Sequence, residues 1–149
     1  MRHGEKAEML FKEEYNCAQS VVGAYEDVLD IDFETLMKLS SSFGGGMGRL
    51  REVCGACTGM FIVAGLLKGY SDPKNKAIKT KHYELIQKLG LEFEKRHGSL
   101  LCRDLLGLTV KKEEPTPSDR TKKYYETRPC LGLVKDACDI LDEYLEINQ

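Results

Sequence analysis

The sequence predicts an all-α fold: a single domain over residues 1–149, built as a bundle of about five to six helices around a central glycine-rich buried helix. Three observations carry that expectation. Apolar residues recur at helical spacing along most of the chain, and no window alternates apolar and polar residues as a half-buried strand does. Residues 53–67 hold no charge and one polar side chain, Thr58, and a helix that is apolar on every side belongs inside a protein. A chain of 149 residues, 42% hydrophobic and 31% charged, is long enough for one sizeable core and ordinary in its balance.

The elements follow in order. Residues 5–14 put Ala7, Leu10 and Phe11 on one face of a first helix. Asn16 is an N-cap, and Gln19 three residues on completes a capping box, so a second helix follows with Ala18, Val21, Val22, Tyr25, Val28 and Leu29 as its apolar stripe. Asp32 caps a short third helix that reaches Leu39. Residues 40–48, Ser-Ser-Ser-Phe-Gly-Gly-Gly-Met-Gly, interrupt the helical pattern. The buried helix is expected from near Leu50 to near Gly69, with Ser71-Asp72-Pro73 as the turn after it. Each glycine inside a helix costs about 1 kcal/mol relative to alanine, so Gly55-x-x-x-Gly59 and Gly65-x-x-x-Gly69 imply neighbours that pack closely against a bare backbone. A long charged helix covers about 75–97, with Ile78, His82, Leu85, Ile86, Leu89 and Phe93 along one side. Gly98-Ser99 ends it, and Ser99 caps a short helix reaching Leu106 before Gly107. Residues 111–123 form a polar loop with the reach of a flap. The last helix spans about 129–145, with Leu131, Val134, Cys138, Leu141 and Leu145 inward.

Charge and hydropathy narrow the function. A net charge of −2 gives no general attraction to nucleic acid. The apolar run at 53–67 falls short of the roughly 20 residues that span a bilayer, and the opening residues lack the apolar core and cleavage site of a secretory signal. A cytoplasmic protein with no membrane role is expected. In a reducing compartment six cysteines point to catalytic, redox or metal-binding thiols, some of them serving as core filler.

The placement of those cysteines is informative. Cys17 follows the Asn16 cap, Cys102 lies three residues after Ser99, and Cys130 follows Pro129. Each is expected in a first helical turn, where free N–H groups and the helix dipole favour a thiolate and lower the thiol pKa. Cys54 and Cys57 have Cys-x-x-Cys spacing, which serves dithiol–disulfide exchange and metal ligation alike. No second Cys-x-x-Cys makes a zinc ribbon, and no Cys-x-x-Cys-His attaches a haem. Cys138 lies on an apolar stripe and is read as core. His82 is read as a core histidine, His3 and His97 as exposed, and Lys74, Lys76, Lys79 and Lys81 as a solvated face. The glycines at 44–46 and 48 offer N–H groups to an anion, but with no Gly-Lys-Ser/Thr ending and no preceding strand they are not a nucleotide loop.

Five ordered blocks resemble a known family: Tyr15-Asn16-Cys17-Ala18-Gln19-Ser20-Val21, Phe43-Gly44-Gly45-Gly46-Met47-Gly48-Arg49, Cys54-Gly55-Ala56-x-x-Gly59, Gly98-Ser99-x-x-Cys102-Arg103-x-Leu105-x-Gly107, and Cys130. Together they are similar to the C_GCAxxG_C_C family of redox-active proteins. The resemblance implies a small, mostly helical protein whose hallmark cysteines are Cys17, Cys54, Cys102 and Cys130. Cys57 falls at a variable position and is accessory. Two chemistries stay open. The four thiols cycle between dithiol and disulfide with a redox partner protein or a small thiol, as in a thiol–disulfide oxidoreductase. Alternatively, the same four thiolates hold an iron–sulfur cluster or another metal ion, although the sequence requires no cofactor. A structural or interaction protein with core cysteines is the third alternative. A bare, glycine-lined helix is also compatible with a homodimer.

Overall fold

The chain folds by bringing the starts of several helices to one end of a bundle. The computed structural model describes residues 1–108 and 112–147. In chain order the helices are α1 (His3–Lys12), α2 (Cys17–Ala24), α3 (Phe33–Ser40), α4 (Gly44–Met47), α5 (Gly55–Lys68), α6 (Lys76–His97), α7 (Cys102–Leu105), α8 (Lys122–Thr127) and α9 (Cys130–Leu145), with a 3-10 turn at Ser41–Phe43. α4 is a single distorted turn, with Gly45 and Gly46 both left-handed. Among the described residues there is no strand, only one bridge between Val53 and Leu101. Nor is any helix among them long and apolar enough to cross a membrane.

Several helix ends are set locally, as the sequence predicts. The Asn16 side chain accepts from the Gln19 N–H at 2.9 Å while the Gln19 side chain accepts from the Asn16 N–H at 3.1 Å, closing the capping box. Asp32 and Asn75 cap α3 and α6 through side-chain oxygens. Gly98, at φ 91°, ends α6.

α2, α5 and α9 pack on one another; α1 lies against α9 and α2, and α6 against α5 and α9. Phe11, Tyr25, Leu36, Met60, Leu89, Phe93, Ile140 and Leu141 fill the centre. The Gly55-x-x-x-Gly59 face of α5 meets α2 as expected. A Cβ at Gly59 would sit 3.0 Å from the Ala18 carbonyl oxygen, and one at Gly55 would sit 3.0 Å from the Cys17 Cβ. The second pair does not behave this way: Gly65 has nothing within 4 Å of a would-be Cβ, and Gly69 lies past the helix.

The central helix is shorter and less enclosed than its composition suggests. It starts at Gly55 because residues 49–54 are taken by an irregular link, with Arg49 and Arg51 left-handed and Val53 bridged to Leu101. Phe61 and Ile62 are half-buried, and Leu66 is 43% exposed. Its last turn therefore has an uncovered side. The long helix α6 is likewise seated only by its second half, where Leu89 and Phe93 are buried while Ile78 is 48% exposed. His82 there is half-buried, with its Nδ1 enclosed and unpartnered.

His3 is not exposed. It is 3% accessible, with Nδ1 3.0 Å from an Asp142 carboxylate oxygen, Nε2 3.0 Å from one of Asp27, and its ring stacked on Tyr25. The Tyr25 hydroxyl donates to Asp142 at 2.8 Å. Helix α1 starts at His3 and lies against α9, with His3 and Gly4 of its first turn buried. His97 is half-buried too, with Nε2 2.6 Å from Asp136. The polar loop expected at 111–123 ends in α8, which its charged sequence hid; residue 111 lies outside the described residues.

Candidate functional site

Four helix starts converge on one cavity of about 330 Å³. Cys17, Cys102 and Cys130 are the first residues of α2, α7 and α9, and Cys54 is the N-cap of α5. All four line the cavity; Cys57 and Cys138 do not. All six cysteines are free thiols.

Local geometry explains the convergence. The Cys54 N–H donates to the Leu100 carbonyl at 2.8 Å, and the Cys102 N–H donates to the Glu52 carbonyl at 2.6 Å, so segments 52–54 and 100–102 are tied side by side. That pairing, not Ser99, starts α7: the N-cap is Leu101, and the Ser99 hydroxyl instead accepts from the Leu101 N–H and donates to Asp104. Gly46, at φ +67°, passes so close that a Cβ there would fall 2.6 Å from the Cys102 Cβ and 2.8 Å from the Arg51 Cα. A side chain at 46 would displace both.

The thiols affect one another's protonation. Cys130 is pulled down from the ordinary thiol value to about 7 by a hydrogen bond from the Cys17 thiol, against the cost of burial, with the Arg128, Arg120 and Arg51 guanidiniums assisting. Cys17 is held well above the ordinary value, because Cys130 holds its proton in that bond and because it is buried. Cys54 is lowered by the Cys57 thiol, with help from the Ala56 and Cys57 amides. Cys57 is raised correspondingly by Cys54 and by burial. Cys102 is raised by burial, partly offset by Arg51, whose Nη1 donates to Cys102 Sγ at 3.4 Å. Of the three thiols expected to be acidic at helix starts, Cys130 is lowered, though by the Cys17 thiol and the arginines rather than by its helix terminus, while Cys17 and Cys102 are raised. The terminal dipole is worth about 0.3–1 kcal/mol at an exposed site, and desolvation of a buried thiolate outweighs it.

Sequence reasoning missed the cationic wall. Arg49, Arg51, Arg120 and Arg128 all line the cavity. Arg51 is 3% exposed, and its Nε donates to Glu113 at 2.6 Å. Arg49 Nη2 reaches the other Glu113 oxygen at 3.4 Å, and its Nε donates to the Glu114 carbonyl. Arg120 donates to the Phe11 and Tyr15 carbonyls and stacks on Phe11 with its guanidinium carbon 4.1 Å from the ring centroid. These contacts hold the 113–120 segment against the cavity, where Pro115, Pro117 and Ser118 form part of the wall. A signal was present in the sequence: Arg51 and Arg128 stand three and two residues ahead of Cys54 and Cys130.

Among the described residues no group of three or more His, Cys, Asp or Glu side chains is arranged to hold a metal ion. The four thiols share a cavity without forming a ready tetrahedral ligand set.

No curated protein and no solved structure matches the chain. Residues 15–144 match the family described as "Putative redox-active protein (C_GCAxxG_C_C)". That match covers every thiol of the cavity and nearly the whole chain, and the chain belongs to the C_GCAxxG_C_C family.

Proposed function

We propose that the protein is a thiol–disulfide exchange protein in which Cys130 attacks and Cys17 resolves. The observation that supports this reading most is the opposite pull on the two sulfurs: Cys130 is lowered to about 7 while Cys17 keeps its proton, and both face one cavity. One thiolate beside one thiol is the state from which exchange starts.

The Cys130 thiolate attacks one sulfur of a partner disulfide. The S–S bond breaks, and the outer sulfur leaves with the bonding pair as a thiolate that takes up a proton. A mixed disulfide remains on Cys130. Cys17 then loses its proton, attacks the Cys130 sulfur and expels the second half of the partner. Two protein thiols have become one disulfide, and the partner has gained two electrons and two protons. Cys54 and Cys102 line the same cavity and act as the dithiol that takes the disulfide onward, with Cys57 accessory to Cys54.

Mass mapping of the reduced protein after brief exposure to a disulfide oxidant tests the roles. The expected product is a Cys17–Cys130 disulfide, with Cys17→Ser trapping the mixed disulfide on Cys130. A first adduct on Cys57 or Cys138, or four thiols whose reactivity never changes with redox poise, refutes the assignment. Metal content and visible absorption after anaerobic purification test the iron–sulfur alternative separately.

A further inference from the structure

Around the thiols, positive charge exceeds the carboxylate charge paired with it. Four guanidiniums line the cavity and no Asp or Glu side chain does. Glu113 is the carboxylate shared by Arg49 and Arg51. Arg120 is fixed by two backbone carbonyls, which are neutral acceptors, and among the described residues no carboxylate pairs with Arg120 or Arg128. Arg128 lies over the Tyr124 ring at 5.4 Å.

The decisive atom is Arg51 Nη2. It is buried and has no hydrogen-bond partner, on a side chain whose Nε and Nη1 are engaged by Glu113 and Cys102. A buried guanidinium N–H without an acceptor is expensive, so such groups are ordinarily satisfied. Arg51 lines the cavity beside Cys102. Guanidinium is also the side chain best matched to a carboxylate or oxoanion, which it grips with two parallel N–H donors.

Size and lining narrow the ligand. About 330 Å³ lies at the small end of ligand cavities, which run from about 300 to 1,000 Å³. Phe11, Leu105, Leu106 and Leu133 supply an apolar wall for a short carbon chain.

We infer that the cavity selects small anionic disulfides, molecules in which a carboxylate or comparable anion stands a few carbons from the S–S bond, with Arg51 and Arg128 holding the anion and Cys130 receiving the sulfur. This rests on the exchange reading above and names the substrate class for it. The covalent step is the balanced exchange already given: each leaving half departs as an anionic thiol, and the two electrons come from the Cys17 and Cys130 thiols.

The test uses three disulfides of similar size and different charge: dithiodiglycolate, bis(2-hydroxyethyl) disulfide and cystamine, which are dianionic, neutral and dicationic. Initial rates of oxidation of the reduced full-length protein are followed at one pH and low salt. The expected order is anionic, neutral, cationic, with the two ends separated by about 10-fold or more. Arg128→Gln and Arg51→Gln each shrink the anionic-to-cationic ratio toward one. The ratio is the readout, because either change also alters the acidity of the thiols and so the absolute rates. Should the buried Arg51 variant fail to fold, as judged by its circular dichroism and melting, Arg128→Gln decides. Equal rates with all three disulfides, or cystamine fastest, overturn the substrate class and leave exchange standing. No oxidation by any of the three, with every thiol titratable after denaturation, refutes the exchange reading itself.

Discussion

The acidity of Cys130 makes a prediction whose size follows from the structure. A thiol at about 7 rather than near 9 is a hundredfold more acidic. At pH 7 it is about half thiolate, against about 1% for an ordinary thiol, a gain of about 50-fold in reactive species. The more acidic thiolate is also a poorer nucleophile: with a Brønsted slope of about 0.4–0.5, a hundredfold in acidity removes about 8-fold in rate per thiolate. The net advantage at pH 7 is therefore about 6-fold. Because the attacking species is the deprotonated one, the rate rises with pH, reaches half its maximum near 7 and is lost below it. Cys17→Ala removes the hydrogen bond that contributes most to the lowering, and burial then pushes Cys130 upward. If Cys130 returns to an ordinary acidity, the rate at pH 7 falls about 6-fold while the alkaline plateau rises about 8-fold, so the two pH profiles cross. Stopped-flow reaction with a neutral aromatic disulfide between pH 5 and 10, with the first adduct mapped by mass, measures both profiles. A wild-type midpoint near 9, or profiles that superimpose, would show that Cys17 does not tune Cys130.

Two further predictions probe the supports of the cavity. Gly59→Val drives a branched side chain into the Ala18 carbonyl and the Val21 Cβ, each 3.0 Å from the first added carbon. Overpacking of this kind costs about 1–3 kcal/mol, and each kcal/mol lowers the melting temperature of a chain this long by about 2–4 °C, which a thermal melt reads directly. Glu113→Gln frees Arg49 and Arg51 of their shared counter-charge. Arg51 then acts on Cys102 undiluted, so Cys102 becomes more acidic and is labelled faster by iodoacetate near neutral pH, as mass-resolved labelling will show; an unchanged Cys102 rate contradicts this.

What could be read from the sequence was what is decided within a few residues. The Asn16–Gln19 capping box, the Asp32 cap and the Gly98 stop are local contacts, and each sits where the sequence puts it. The start of α7 could not be read in this way, because it depends on a pairing of residues 100–102 with 52–54 some fifty positions earlier. His3 was misread for a similar reason: its neighbours in sequence are charged, while the carboxylate of Asp142 that meets it comes from the other end of the chain. Cys17, Cys102 and Cys130 were identifiable because each follows a helix-start signal, and Cys54 by its Cys-x-x-Cys spacing and family block, yet their acidities were not. Those depend on which sulfur has a thiol neighbour and which lies under a guanidinium, and neither is encoded in spacing. The uncharged run at 53–67 shows the opposite error, for composition alone overstated how completely α5 is enclosed.

The charge inventory of the cavity links its acidity to its selectivity. Negative charge on Cys130 raises each of Cys17, Cys54 and Cys102, so the cluster favours one negative sulfur at a time over four. Setting that single thiolate and Glu113 against four guanidiniums leaves two positive charges uncompensated at the cavity. An incoming dianionic disulfide answers that excess, whereas a dication adds to it. The same arginines that draw Cys130 toward its thiolate thus also define what that thiolate is offered. A change at Arg128 is expected to move the pH profile and the charge preference together, since both report one electrostatic field. If the two moved independently, the guanidinium would be serving only to acidify the thiol, and the substrate class would have to be set elsewhere on the surface.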